Sequence, residues 1–374
     1  MQIISRGIVF QAEPDTDHSS CCFPGVCVLP GGRWLCTCRA APTKTGTAGQ
    51  RVLLTWSDDG GQTWAPPAAP FIPGEVAGKP GLFRAACLTA LGGAEVLATI
   101  YWVDHSDPEL PFFNEETEGL LDSRLFLARS HDRGATWSAP ELVDTSPYNC
   151  PTPITGPTLL LPSGEWGLQF ELNKHYYDPA PWQHASVIMF SADEGRTWPR
   201  HTVVATDPER RFFWWDQRPG VLGDGTLLDL FWTYDNQAAM YLNIHARASR
   251  DEGRTWGELW DTGVPGQPAP PVSLADGRLA MVYVDRTAAP TIMARTSTDG
   301  GRTWPEATAL ALSEVRTDRQ TVGKATMQDA WAEMGRFSLG LPTTAALGDD
   351  EFLVVYYAGP ETDVTDVHWA RVRA

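Results

Sequence analysis

Five near-copies of one eight-residue pattern, six strand–turn–strand hairpins and one spare apolar strand at the N-terminus predict an all-β chain. The fold they predict is a six-bladed β-propeller of four-stranded antiparallel blades, with the N-terminal strand closing the last blade. The pattern is Ser-x-Asp-x-Gly-x-Thr-Trp, and it stands at 57–64, 130–137, 191–198, 249–256 and 297–304. Repetition at this spacing marks an architecture in which each unit buries its apolar face only against its neighbours.

Each copy follows an apolar stretch with strand character: RVLLTWS, RLFLARS, SVIMFS, NIHARAS and TIMARTS. Upstream of these lie hairpins at 28–37, 89–99, 160–170, 221–231, 273–283 and 346–357. Gly-rich or Asp-Gly turns between apolar runs are strong hairpin signals. There are six hairpins but five patterns. After the sixth hairpin, DVHWARVRA matches the strand that elsewhere precedes the pattern, and the sequence stops where a sixth copy would start. The sixth unit therefore lacks an outermost strand, and QIISRGIVF at 2–10 has no partner of its own. Joining the two makes residues 1–374 one closed domain of about 62 residues per blade.

Composition excludes several classes. A net charge of −17 argues against nucleic acid or an anionic membrane as partner, although a local cluster of arginines can still hold an anion. The seven cysteines are odd in number and crowd one end, which does not suit a disulfide framework. Cys36 and Cys38 fall on one side of one strand and read as core thiols. No apolar run reaches the roughly 20 residues of a membrane span. MQIISRGIVF lacks the charged and apolar regions of a signal peptide. The expected location is therefore the cytoplasm. The sequence carries no zinc-protease, P-loop, nucleophile-elbow or dinucleotide motif, and implies neither cofactor nor metal.

The five repeated aspartates (Asp59, Asp132, Asp193, Asp251 and Asp299) read as turn staples rather than catalysts. A short carboxylate in a turn accepts bonds from nearby backbone N–H groups. The pattern turns and the tight hairpin turns belong to one face of the ring. The opposite face holds longer and more varied loops, where functional groups concentrate. Aligning the hairpins gives rings of equivalent positions around the axis. One ring reads Cys22, Arg84, Ile154, Trp215, Gln267 and Gly340. The next reads Phe23, Ala85, Thr155, Asp216, Pro268 and Leu341. Two rings after the turn contain Arg39, Tyr101, Glu171, Trp232 and Tyr357, and then Asn173, Tyr234 and Arg286.

The repeated pattern resembles the Asp-box of the sialidase superfamily, the BNR-repeat proteins. That resemblance implies a six-bladed propeller acting on a terminal sugar. Sialidases carry a Phe-Arg-Ile-Pro motif in the first blade, whose Arg binds the substrate carboxylate. Here that stretch is Cys21-Cys22-Phe23-Pro24, without the Arg, while the second blade has Phe83-Arg84. The family's Glu that activates a Tyr nucleophile corresponds in position to Asp216. Arg218, Arg286 and Arg336 are candidates for the remaining carboxylate-binding arginines.

Three segments carry the candidate chemistry. The long insertion 101–124 brings Asp104 and His105 off a strand end as an acid/base pair, followed by Glu109, Glu115, Glu116 and Glu118. FELNKHYYDPAPW at 170–182 alternates Glu171, Asn173 and His175, with Lys174, Tyr176 and Tyr177 between and beyond them. RRFFWWDQRP at 210–219 sets Trp214 and Trp215 beside Asp216 and Arg218, and Tyr234 and Asp235 follow in the adjoining loop. Carboxylates facing one another across a pocket are what glycoside cleavage needs. The expected acids and bases are Asp216, Glu171, Asp104 and His105. The expected sugar contacts are Arg84, Arg39, Lys174, His175, Trp215, Arg218, Tyr234, Asp235, Arg286 and Tyr357. The partner is a carbohydrate, and a homo-oligomer is allowed. A polysaccharide lyase and a non-catalytic sugar-binding propeller are the rival readings.

Overall fold

In a computed structural model that describes residues 1–313 and 325–374, the chain is a β-propeller of four-stranded antiparallel blades. Four sheets stand apart. They are built around Gly81–Gly92 to Glu141–Leu142, Leu159–Leu160 to Arg200–Thr206, Phe212–Val221 to Trp260–Pro265, and Gln267–Pro268 to Leu310–Ala311. A fifth sheet has seven strands. It contains Leu339–Gly348, Glu351–Glu361 and Val364–Arg373 on one side, and Ser20–Val28, Trp34–Ala41 and Arg51–Ser57 on the other. The two groups meet through a single parallel pair, Ser20 with Thr365.

The N-terminal strand Gln2–Phe10 pairs antiparallel with Val364–Arg373, the last strand of the chain. Its inner end carries Val9 and Phe10 into a core with Cys36, Leu53, Leu353, Val355 and Trp369. Among the described residues, five further clusters fill gaps between neighbouring sheets, and one packs the helix Met327–Arg336 on Phe213, Trp215 and Trp232. Leu35, Val52 and Leu54 meet Phe83, Ile100 and Phe126, and Leu279 and Met281 meet Leu228 and Leu230. Stability is thus a chain of sheet-to-sheet contacts that ends where it began. Among the described residues, no helix is long and apolar enough to cross a membrane.

The repeated pattern is a turn staple in all five places. The Ser Oγ accepts from the Gly N–H at 2.7–3.0 Å and donates to Asp Oδ1 at 2.7–2.8 Å. The Asp then accepts the Thr N–H at 2.8–2.9 Å and the Thr hydroxyl at 2.6–2.7 Å. These turns lie on the same face as the tight hairpins. Arg33 in the first hairpin donates to Arg133 O in the second staple, and Arg133 donates back to Pro30 O. Ser163 N in the third hairpin donates to Glu252 of the fourth staple.

Two outcomes follow. Removing residues 1–10 takes Val9 and Phe10 out of their core, each contributing about 1.5–3 kcal/mol when fully buried. At this chain length that lowers the melting temperature by roughly 4–8 °C; an unchanged calorimetric melt would show that the pairing adds nothing. The staple aspartates are held at about 2, against an ordinary 3.8, first by the Thr hydroxyl and then by the Thr N–H. At Asp299 partial burial pushes the other way, but the same bonds prevail. A carboxylate with a lowered folded pKa stabilises above its unfolded value and loses that effect as the pH falls. Stability should therefore decline from about pH 4 towards pH 2, with the five turns losing protection together in circular dichroism and hydrogen exchange.

Candidate active site

The strands nearest the axis are bulged at one level. Register shifts lie between Cys22 and Gly25, Phe83 and Ala85, Trp215 and Arg218, and Gly340 and Thr343. Within three of them Phe23, Asp216 and Leu341 have φ of 52°, 50° and 45°. A left-handed backbone costs a residue with a Cβ about 1–2 kcal/mol, and a bulge re-aims the side chain out of the regular pleat. These three residues, with Arg84 from the fourth bulge, line an axial cavity of about 620 Å³. The strained positions fall on the aligned rings read from the sequence.

One side of the cavity is acidic. The backbone N–H of Asp216 donates to Glu171 Oε1, so the bulge ties Glu171 to the backbone of Asp216. Asp216 Oδ1 lies 3.2 Å from Arg218 Nη2, and Gln267 Nε2 donates to its Oδ2. Gln267 in turn accepts from Arg286 Nη1 at 3.0 Å. The other oxygen of Glu171 is 3.6 Å from Nε2 of the buried His184. Trp215 lines the wall and stacks on Tyr234 at 4.9 Å. Trp214 instead packs in the core between sheets.

The other side is cationic. Arg84 lies buried over the rings of Phe23 and Phe112, at 5.2 and 4.5 Å. Burial, and then the nearby Arg39, bring it down to about 9. Arg286 sits 3.9 Å over Phe337, with its Nε buried and without an acceptor among the described residues. Lys44 Nζ donates to Met334 O and Phe337 O at 2.7 and 2.5 Å, and lies 5.3 Å over the ring of Tyr357. Burial pulls Lys44 down to about 7; Arg286, Arg84 and Arg39 push the same way and Cys22 opposes them. Burial raises the Tyr357 hydroxyl above its ordinary range. A Cβ on Gly340 would come within 2.9 Å of both Arg286 Nη2 and the Tyr357 hydroxyl, so glycine stands there for room.

Seven expected residues therefore line the cavity: Arg84, Glu171, Trp215, Asp216, Arg218, Arg286 and Tyr357. The structure does not bring the other seven to it. Asp104 is paired with Lys79 at 2.9 Å and caps its own turn through Ser106. His105 faces Thr47 rather than His175. Asp235 does the same work as Asp104, bonded to Arg211 at 2.9 Å and to the N–H groups of Gln237 and Ala238. Lys174 donates to Ala180 O and His175 contacts Asn149 O, both within loops. Tyr234 is wholly buried behind Trp215. Arg39 spends its guanidinium on Gln50, Thr43 O, Lys44 O and Gly46 O, shaping the loop that carries Lys44. Strand-end position alone does not separate a residue aimed at the axis from one that caps a turn.

Sequence reasoning missed Lys44, His184 and the roof. The roof is formed by the 104–122 insertion and the helix Met327–Arg336, which begins with a capping box between Thr326 and Asp329. The two meet where Phe113 stacks on Trp331 at 4.5 Å and Gln328 donates to Glu118. Arg336 lies in the last turn of this helix. The capping box before MQDAWAEMGR was a legible helix signal; Lys44 had none. Lys44→Met should loosen the end of the helix. Loss of two charge-assisted bonds predicts amide exchange over 327–337 faster by roughly tenfold or more, with the strands unchanged.

The BNR repeat-like domain family matches residues 104–330, more than half of the chain. No curated protein matches the sequence. Among solved structures, a protein of unknown function from Dyadobacter fermentans is similar at a TM-score of 0.73 and 18% identity, over 99% of this chain and 98% of that one. The Hadza microbial sialidase Hz136 is similar at 0.66 and 18%, over 96% of this chain; the chain spans 66% of its length. The intramolecular trans-sialidase from Ruminococcus gnavus is similar at 0.62 and 13%, over 100% and 98%. At these identities the likeness is one of fold. The repeat, the blade construction and the family match agree: the fold is like that of the sialidase propellers, and the chain belongs to the BNR repeat-like domain family.

Proposed function

We propose that the protein is a sialidase-like glycoside hydrolase that cleaves a terminal acidic sugar in the axial cavity. The observation that carries this reading is the pair Glu171 and Asp216, held together by a backbone hydrogen bond and faced by buried cations. In cleavage with inversion, one carboxyl group protonates the leaving oxygen and another takes a proton from the attacking water. We assign the base to Asp216, whose Oδ1 faces Arg218, and the acid to Glu171, buried beside His184. Arg84, Arg286 and Lys44 would hold the substrate carboxylate through charge-assisted bonds. Lys44 then stands in for the first-blade arginine whose column holds Cys22.

The same proposal takes the ring as six-bladed. The seven-stranded sheet divides at the single pair Ser20–Thr365, and apolar clusters lie on both sides of that division. The first blade is then completed outside Arg51–Ser57 by the bridge between Leu54 and Ala68.

A lyase remains the second reading, because Tyr357 lies beside Lys44 and Arg286, a base next to cations that could neutralise a uronate. Screening aryl glycosides, sialosides and uronides separates the two. On uronides without an aryl group, a lyase leaves an unsaturated sugar that absorbs in the ultraviolet, and a hydrolase leaves a saturated one that does not.

On a confirmed substrate, Glu171→Gln and Asp216→Asn should each lower kcat by about 100-fold or more; full turnover in both would overturn the assignment. An anionic substrate binds protonated Lys44 best. Its KM should therefore rise severalfold as the pH passes upward through about 7. Lys44→Met should show a raised KM that no longer follows pH in that window.

A further inference from the structure

We propose that the roof side of the axial cavity is a subsite for a planar aromatic aglycone that carries an oxygen acceptor. The inference rests on the glycosidase reading and extends it to the group on the far side of the scissile bond.

The cavity has two halves of unlike chemistry. The strand ends and the Lys44 loop supply the carboxylates and cations. The roof supplies Phe112, Phe113, Leu120, Trp331, Ala332 and Met334. Among the described residues of the roof segments that line the cavity, the one charged side chain is the exposed Glu115. A sugar ring presents hydroxyls around its whole edge. Each one placed against such a wall without a partner costs about 1–3 kcal/mol. The roof half therefore disfavours a second sugar and favours a flat apolar ring.

The aromatic side chains are already oriented for one. Phe113 and Trp331 lie nearly parallel, with an interplanar angle of 13°. Trp331 continues to Trp182 at 6.3 Å, and Trp182 to Trp215 at 6.3 Å and 19°. This chain of rings runs from the roof to the residue next to Asp216. Rings in such a series gain about 0.5–1.5 kcal/mol per well-placed aromatic contact beyond area burial. Two of them also carry an unmet demand. The indole N–H groups of Trp331 and Trp215 are buried with no acceptor among the described residues. A phenolic ether or carbonyl oxygen on the aglycone would satisfy such a donor.

Free 4-methylumbelliferone tests the subsite without any turnover. It is titrated into the intact protein and followed by fluorescence polarisation and by quenching of tryptophan emission. Saturable binding is expected. Trp331→Ala should weaken it at least tenfold, and so should Ala332→Phe, which fills the subsite and keeps Trp331. Thermal melts of both variants verify that the fold persists. Asp216→Asn should leave the affinity within about twofold. Absence of saturable binding to the wild type, or equal binding by the wild type and Ala332→Phe, overturns the proposal. Loss of binding on Lys44→Met with both roof variants unaffected also overturns it, because the probe then sits among the cations. Failure of the glycosidase reading would appear separately, as bound aryl glycosides that are not cleaved.

Discussion

The pairing of Gln2–Phe10 with Val364–Arg373 is the contact on which the rest depends. Sheets that bury their faces only against neighbours leave two open ends unless the ring shuts. Shutting it does more than hide apolar surface. The hairpin that leads into the last strand carries Asp363, whose Oδ1 accepts the Lys44 N–H at 2.7 Å and whose backbone oxygen accepts from Ser19. Lys44 is thereby fixed over Tyr357 and beneath the end of the roof helix. Ring closure, the cationic wall and the roof are successive links of one set of bonds.

That wall is notable because the protein is acidic overall, at −17. Lys44, Arg84 and Arg286 are each lowered by burial, and at Lys44 the two arginines add to that effect. The fold tolerates the cost by spreading the charge over aromatic faces: Phe23 and Phe112 for Arg84, Phe337 for Arg286, Tyr357 for Lys44. Such contacts contribute more once desolvated, but they leave guanidinium edges short of acceptors. A charge left in that condition is a standing attraction for an anion, and the sign of the whole molecule has little bearing on it.

The repeat made the architecture legible, because a turn staple recurs with the same five side chains wherever it is needed. The strand-end rings also bring Arg84, Trp215, Asp216 and Arg286 to the wall of the cavity, since the bulges occur at matching positions in several blades. The rings were silent on what lies beyond each strand end. Asp104 looks like a catalytic acid and Asp235 like a sugar contact in sequence, yet each is held by a cation and by its own turn. Arg39 looks like a sugar contact, yet Gln50 and backbone carbonyls consume it. Lys44 lies in a loop of threonines and glycines with no periodic signal, and only the path of that loop brings it to the axis. Sequence patterns report regular structure well; they do not report which loop folds back over the site.

Gly340 has a consequence beyond its own blade. Its missing side chain is the space that Arg286 and Tyr357 share. An alanine there would displace the cation and the hydroxyl together, since a single added carbon meets both. The two groups are in that sense one mechanical unit with a common stop. Propellers of this type can be sorted by the residue at the corresponding position. Those with glycine can keep this arrangement, and those with anything larger must have rebuilt both halves of it.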